Sequence, residues 1–174
     1  MGRYIALLRG VNVGGNNRLA MADLTRLCQQ LGGSNVRTYI QSGNVALDLP
    51  PARSLTFAAD LQARLAAEQN LNVPVVLRTI AELQAVLAAN PWPERDLALT
   101  SVAFLAHEPT PQLVAALDRQ RSPPDEFAVR GREVYLHTPN GLARTKLTNA
   151  WLDSKLQTVS TARNWRTVQT LADY

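Results

Sequence analysis

The sequence predicts an α+β chain of two units, on three observations. Apolar runs of strand length alternate with stretches of helical period along the whole 174 residues. The order β-α-β-β-α-β reads twice, each time followed by one more helix. Between the two readings lies Asn90-Pro91-Trp92-Pro93-Glu94-Arg95-Asp96, where two prolines hold Trp92 between extended segments.

In chain order, RYIALLR (3–9) predicts a strand. Ala20–Leu31 predicts a helix with Leu24, Leu27, Cys28 and Leu31 on its apolar face, stopped by Gly32 and Gly33. VRTYIQ (36–41) and VALDL (45–49) predict two strands joined by Ser42-Gly43-Asn44, a tight-turn signal. A helix follows over 53–69, with Leu55, Ala58, Leu61 and Leu65 facing the core. VPVVLR (73–78) predicts a strand that Pro74 confines to a sheet edge. Thr79–Ala89 predicts a helix using Ile80, Leu83 and Leu87. This is the split βαβ of a ferredoxin-like unit.

The second half repeats the order without residue-level identity. LALTSVAFLA (97–106) is a strand and Pro111–Arg119 a helix. EFAVR and EVYLH form a hairpin around Gly131, 143–155 is a helix, TVST (158–161) a short strand, and Asn164–Leu171 a final helix. The expected units are 1–90 and 97–174, two ferredoxin-like (split βαβ) units packed together, with a linker at about 91–96.

Hydrophobic content of 46% and charged content of 18% are those of a globular chain. The single Cys28 excludes an internal disulfide, and its helical spacing with Leu24 and Leu31 makes it a core thiol. No apolar run reaches the length of a membrane span, so no membrane association is expected and the cytoplasm is the default location. The net charge of +4 is uneven: Arg3, Arg9, Arg18, Arg26 and Arg37 face only Asp23 and Asp48 at the start, and the last part of the chain is also basic. All the cations but Lys146 and Lys155 are arginine, whose planar fork suits carboxylate and phosphate.

The segment RGVNVGGNN (9–17) resembles a phosphate loop but lacks its lysine and hydroxyl, because Asn16 and Asn17 stand there. Backbone N–H groups of Val13 to Asn16 remain able to form an anion nest at a helix N-terminus. In a split βαβ the exit of the first strand lies beside the turn joining the second and third. Arg9, Gly10 and Asn12 are therefore expected next to Gln41, Ser42, Gly43 and Asn44. In the second unit the same logic selects the opposite rim, where Arg144, Lys146, Thr161, Arg163, Asn164 and Trp165 are expected as neighbours. Arg144 and Lys146 are expected in a first helical turn, where cations oppose the helix dipole. The two rims are expected to face each other near 90–96, making a cleft with basic, amide-rich walls.

Four stretches carry a resemblance over nearly the whole chain: YIALLRGVNVGGNNRLAMADL, VRTYIQSGNV, RTKLTNAWL and TARNWRTVQTL. Together they are similar to a bacterial family of uncharacterised proteins, domain of unknown function 1697. The resemblance implies an α+β fold of ferredoxin-like character and no known activity. Two positions depart from the family pattern: Asn16 where lysine is frequent, and Ala20 where proline is frequent.

The leading expectation is binding of a small phosphate- or carboxylate-bearing ligand in the cleft, through Arg9, Asn12, Gly14, Gly15, Gln41, Ser42, Asn44, Lys146, Arg163 and Asn164. His107 and His137 fall on different rims, Ser42 has no evident base, and the Asp125-Glu126 pair reads as solvated. No metal, cofactor or catalytic pair is therefore expected, and any chemistry would be electrostatic. A nucleic-acid module using the basic ends is the alternative, weakened because strand three lacks the aromatics of an RRM. A third is a partner-binding protein whose polar motifs lock two units.

Overall fold

A strand buried on both faces is the axis of the first unit. β1 (Gly2–Leu8) turns Ala6 and Leu8 into one core, while Ile5 and Leu7 on its other face are equally buried. That double burial is why the segment reads as a continuous apolar run. α1 (Met21–Gln30) lays Leu24, Leu27 and Cys28 on the same core and ends where Gly32 turns to φ +91°. β2 (Ser34–Tyr39) and β3 (Asn44–Leu49) form the hairpin. α2 (Pro51–Ser54), α3 (Phe57–Gln69) and β4 (Val75–Thr79) follow. The sheet runs β2-β3-β1-β4 with every pair antiparallel, so β4 is an edge strand, where Pro74 removes no ladder bond.

α4 (Ile80–Ala88) starts with a capping box: Thr79 Oγ1 accepts from the Glu82 N–H at 3.1 Å, and the Glu82 carboxylate accepts from the Thr79 N–H at 2.7 Å. β5 (Thr100–Leu105), α5 (Pro111–Ala115), β6 (Glu126–Arg130), β7 (Glu133–His137), α6 (Asn149–Leu156), β8 (Ser160–Asn164) and α7 (Trp165–Ala172) complete the chain. The second sheet runs β6-β7-β5-β8, again antiparallel throughout. The computed structural model describes residues 1–174. They fall into two compact units, Met1–Leu83 with Leu171–Tyr174, and Gln84–Thr170, so the division lies inside α4. The first core gathers α1, α3 and one face of the first sheet. The second gathers Leu113, Leu117, Phe127, Leu136, Trp151 and Leu152.

Three sequence expectations need correction. The helix over 53–69 is two helices, and Leu55 is 87% exposed. Leu55 lies in the turn between the two helices, outside the buried stripe of Phe57, Leu61 and Leu65 on α3. The helix over 143–155 begins only at Asn149, because Thr148 caps it by accepting from the Trp151 N–H at 3.2 Å. Arg144 therefore sits in a 3-10 turn and Lys146 at a bend before the cap, and neither lies in the first turn of the helix. The helix from Pro111 stops at Ala115, short of Arg119.

Phe57→Ala or Leu61→Ala is expected to cost about 3–5 kcal/mol in denaturant unfolding, whereas Leu55→Ala stays within about 0.5 kcal/mol. Burial pushes the Cys28 thiol up to about 12. The folded state thus favours the protonated thiol. Its contribution is complete below the ordinary thiol range and is lost as pH rises toward 12. At pH 8, alkylation of Cys28 should track global unfolding; rapid labelling of the native protein would contradict its burial.

Candidate ligand site

The glycine segment folds as a miniature hairpin. The Asn12 N–H donates to Asn17 O at 3.1 Å and the Asn16 N–H to Val13 O at 3.0 Å. Between them Gly14 and Gly15 take φ +58° and +76°, as a type I′ turn requires. A Cβ on either would meet nothing within 4 Å, so these glycines serve the turn and not a close approach. Of the N–H groups expected to form an anion nest from Val13 to Asn16, that of Asn16 is spent inside the hairpin.

Asn12 ties this hairpin down. Its Nδ2 donates to Leu19 O at 2.9 Å and Gln41 O at 2.8 Å, and its Oδ1 accepts from the Leu19 N–H at 2.9 Å. Asn17 adds a bond from Nδ2 to Gly10 O at 3.1 Å. The expected meeting of the two loops is present: Asn12 reaches Gln41, and the Leu8 N–H donates to Gly43 O at 2.8 Å. Gly43, at φ +83°, is required here, since a Cβ would lie 2.8 Å from the Leu8 Cβ. Asn12 is thus a structural tie, with both its amide donors used. Asn44 is fully buried, donating to Tyr39 O and Ser42 Oγ, and is not available to a ligand. Arg9 is half-buried and engaged, with its N–H on Pro74 O. Asp48 pairs with Arg3 and Asn35, not Arg9.

Beside the hairpin opens a pocket of about 520 Å³, lined by Asn12, Gly15, Arg18, Leu19, Ala20, Asp23, Gln41 and Gln69. Arg18 is exposed and makes no ion pair or hydrogen bond, and the side-chain amides of Gln41 and Gln69 are equally unengaged. α1 enters this wall through Ala20, which supplies no side-chain cap, so its first N–H groups are open. Asp23 stands in the first turn, 3.5 Å from Arg26. Of the residues the sequence nominates, Asn12, Gly15 and Gln41 line this pocket. Sequence reasoning missed Arg18, which directly follows the quoted loop, and Gln69, which only the packing of α3 brings near.

The second unit's rim is less open. Arg163 lies within β8, paired with Val102, and is 8% exposed. Its Nη1 donates to Thr161 Oγ1 at 2.8 Å and Ala162 O at 2.9 Å, and burial draws the guanidinium down to about 10. Asn164 is exposed but caps α7, accepting from the Thr167 N–H at 2.9 Å. Trp165 is buried. Lys146 is exposed, and its backbone N–H donates to Ser122 Oγ at 3.0 Å. Asp125 is not solvated: it is buried and accepts from Ser122 Oγ at 2.7 Å. His107 and His137 do lie on opposite rims, and no three His, Cys, Asp or Glu side chains gather as a metal site.

An α+β chain with two four-stranded antiparallel sheets is the class these elements define. The protein belongs to the family described as protein of unknown function (DUF1697), whose model matches residues 1–135. Its fold is similar to that of the conserved bacterial protein SP0830 from Streptococcus pneumoniae, at a TM-score of 0.71 and 24% identity over 98% of this chain and 97% of that one. No curated protein matches. No helix is long and apolar enough to cross a membrane.

Asn12→Ala removes three hydrogen bonds at once and is expected to lower unfolding free energy by about 1–3 kcal/mol. Faster amide exchange confined to residues 10–19 and 41–43 would be its signature.

Proposed function

We propose that the protein binds a small phosphate- or carboxylate-bearing ligand at the rim of its first unit. One observation carries this reading: an unpaired Arg18, two free amides and the uncapped start of α1 line one pocket. Such a start favours anions, and a guanidinium forks onto them. Asp23 in the same wall accepts hydrogen bonds, which favours an anion that also carries hydroxyl donors, as sugar phosphates do. No acid–base pair lines the pocket, so binding rather than turnover is the role proposed. The strand order β2-β3-β1-β4 and its repeat as β6-β7-β5-β8 support two ferredoxin-like units derived by duplication. The single buried thiol agrees with a cytoplasmic protein. RRM-type nucleic-acid binding is not favoured, since Tyr4 packs against the helix-covered core instead of an open sheet face.

Thermal shifts with inorganic phosphate, sugar phosphates, nucleotides and short oligonucleotides, at low and high salt, test this. A salt-tolerant rise with one small anion is expected in the wild type and absent in Arg18→Ala, whose own stability stays within about 0.5 kcal/mol. Equal shifts in both proteins would reject the site. Shifts with oligonucleotides alone, lost at high salt, would favour nucleic acid instead.

A further inference from the structure

β7 ends on His137, which is 9% exposed and whose Nδ1 is shielded from solvent with no hydrogen-bond partner. A buried ring nitrogen left unpaired costs about 1–3 kcal/mol. His137 stands directly opposite Glu126 on β6 and Thr100 on β5. Directly paired residues project from one face of a sheet, so these three side chains are neighbours.

The segment that follows α4 runs over this face. Tyr135 Oη donates to Val86 O at 2.7 Å, and Arg130 Nη1 donates to Ala89 O. The Trp92 ring lies 5.9 Å from the His137 ring, centroid to centroid, at 56°. Arg95 pairs with Glu126 and places its guanidinium carbon 5.3 Å from the Trp92 ring centroid. Residues 86–95 are thus a strap. Its far end is held by one carboxylate and one indole, both of which His137 also borders.

We propose that His137 is a proton-binding site that latches this strap: closed with a neutral imidazole, loosened when the imidazole takes up a proton. The charged groups facing the ring are Glu126 from β6 and Arg95 from the strap; Thr100 from β5 and Trp92 add none. With the ring neutral, Arg95 is the only cation sharing Glu126 and the Trp92 face. With the ring protonated, two cations share one carboxylate and one indole. The imidazolium is fixed on the sheet, whereas the Arg95 side chain is 31% exposed and can turn to water. The Arg95 hydrogen bond of the closed strap and, to a smaller degree, the charges of Arg95 and His137 draw the Glu126 carboxyl below its usual range.

The test is an NMR titration of the His137 imidazole in the full chain carrying His107→Gln, which removes the other histidine, together with amide exchange at Trp92 and Arg95. Removing the carboxylate in Glu126→Gln should move the His137 midpoint down, and removing the competing cation in Arg95→Gln should move it up. Both substitutions are at partly exposed positions, so neither threatens the fold. Exchange at the strap, corrected for its intrinsic pH dependence, should quicken severalfold through the same midpoint and become pH-independent in His137→Gln. A midpoint unmoved by both substitutions, or strap exchange that ignores the titration, would overturn the proposal. Should His137→Gln fail to fold, the two partner variants still decide it.

Discussion

The approach of Gly43 to Leu8 holds the first unit's rim in place. At that point the turn between β2 and β3 closes onto the last residue of β1, with a hydrogen bond at 2.8 Å and no room for a side chain. One wall of the pocket hangs from this contact. It fixes where Gln41 lies, Gln41 receives Asn12, and Asn12 in turn fixes Leu19 and the entry to α1. The loop is thereby ordered by backbone geometry and amide hydrogen bonds together with the burial of Val11 and Leu19 at its two ends.

The two units share more than their strand order. Arg78 on β4 and Arg163 on β8 occupy matching positions: each is buried, and each donates Nη1 to the carbonyl of the residue before it. Each is followed by a residue that caps the next helix, Thr79 for α4 and Asn164 for α7. The exits of β1 and β5 match as well. Leu8 and Arg9 donate to Gly43 and Pro74, as Leu105 and Ala106 donate to Arg132 and Val159. A buried guanidinium carries a desolvation cost of several kcal/mol unless its donors are met, and both arginines make further contacts beyond these bonds.

Much of this was legible in the sequence. The strands of both hairpins, the edge position of β4 and the meeting of residues 9–12 with 41–44 follow from periodicity, proline chemistry and topology. The failures have physical causes. Leu55 fitted a loose helical pattern, but the helix breaks at Leu55 and Thr56, which leaves it outside the stripe of Phe57, Leu61 and Leu65. Thr148, a good N-cap, sets the helix start at Asn149 and not at 143 as expected. Asn12 and Asn44 were read as ligand contacts, whereas their amide donors go to protein acceptors, since a sequence shows an amide's presence and not whether its donors are already spent. Arg78 matches Arg163 only once the strands are aligned in space, because little else around them is alike.

One contrast between the units bears on how such a protein can change. β1 reaches its helix through the hairpin loop of residues 9–20, whereas β5 reaches α5 through the brief connection 106–110. The same sheet topology therefore closes with and without the longer loop. Residues 10–18 are in effect an inserted module: Arg9 bonds to Pro74 of the scaffold at one boundary, Leu19 bonds to Asn12 at the other, and Asn12 in turn donates to Gln41, so none of these bonds involves the Gly14-Gly15 tip. Drift or deliberate grafting at the tip of that module, short of Asn12, can reshape the rim's surface while leaving the folding problem to β1, β3 and the helices beneath them.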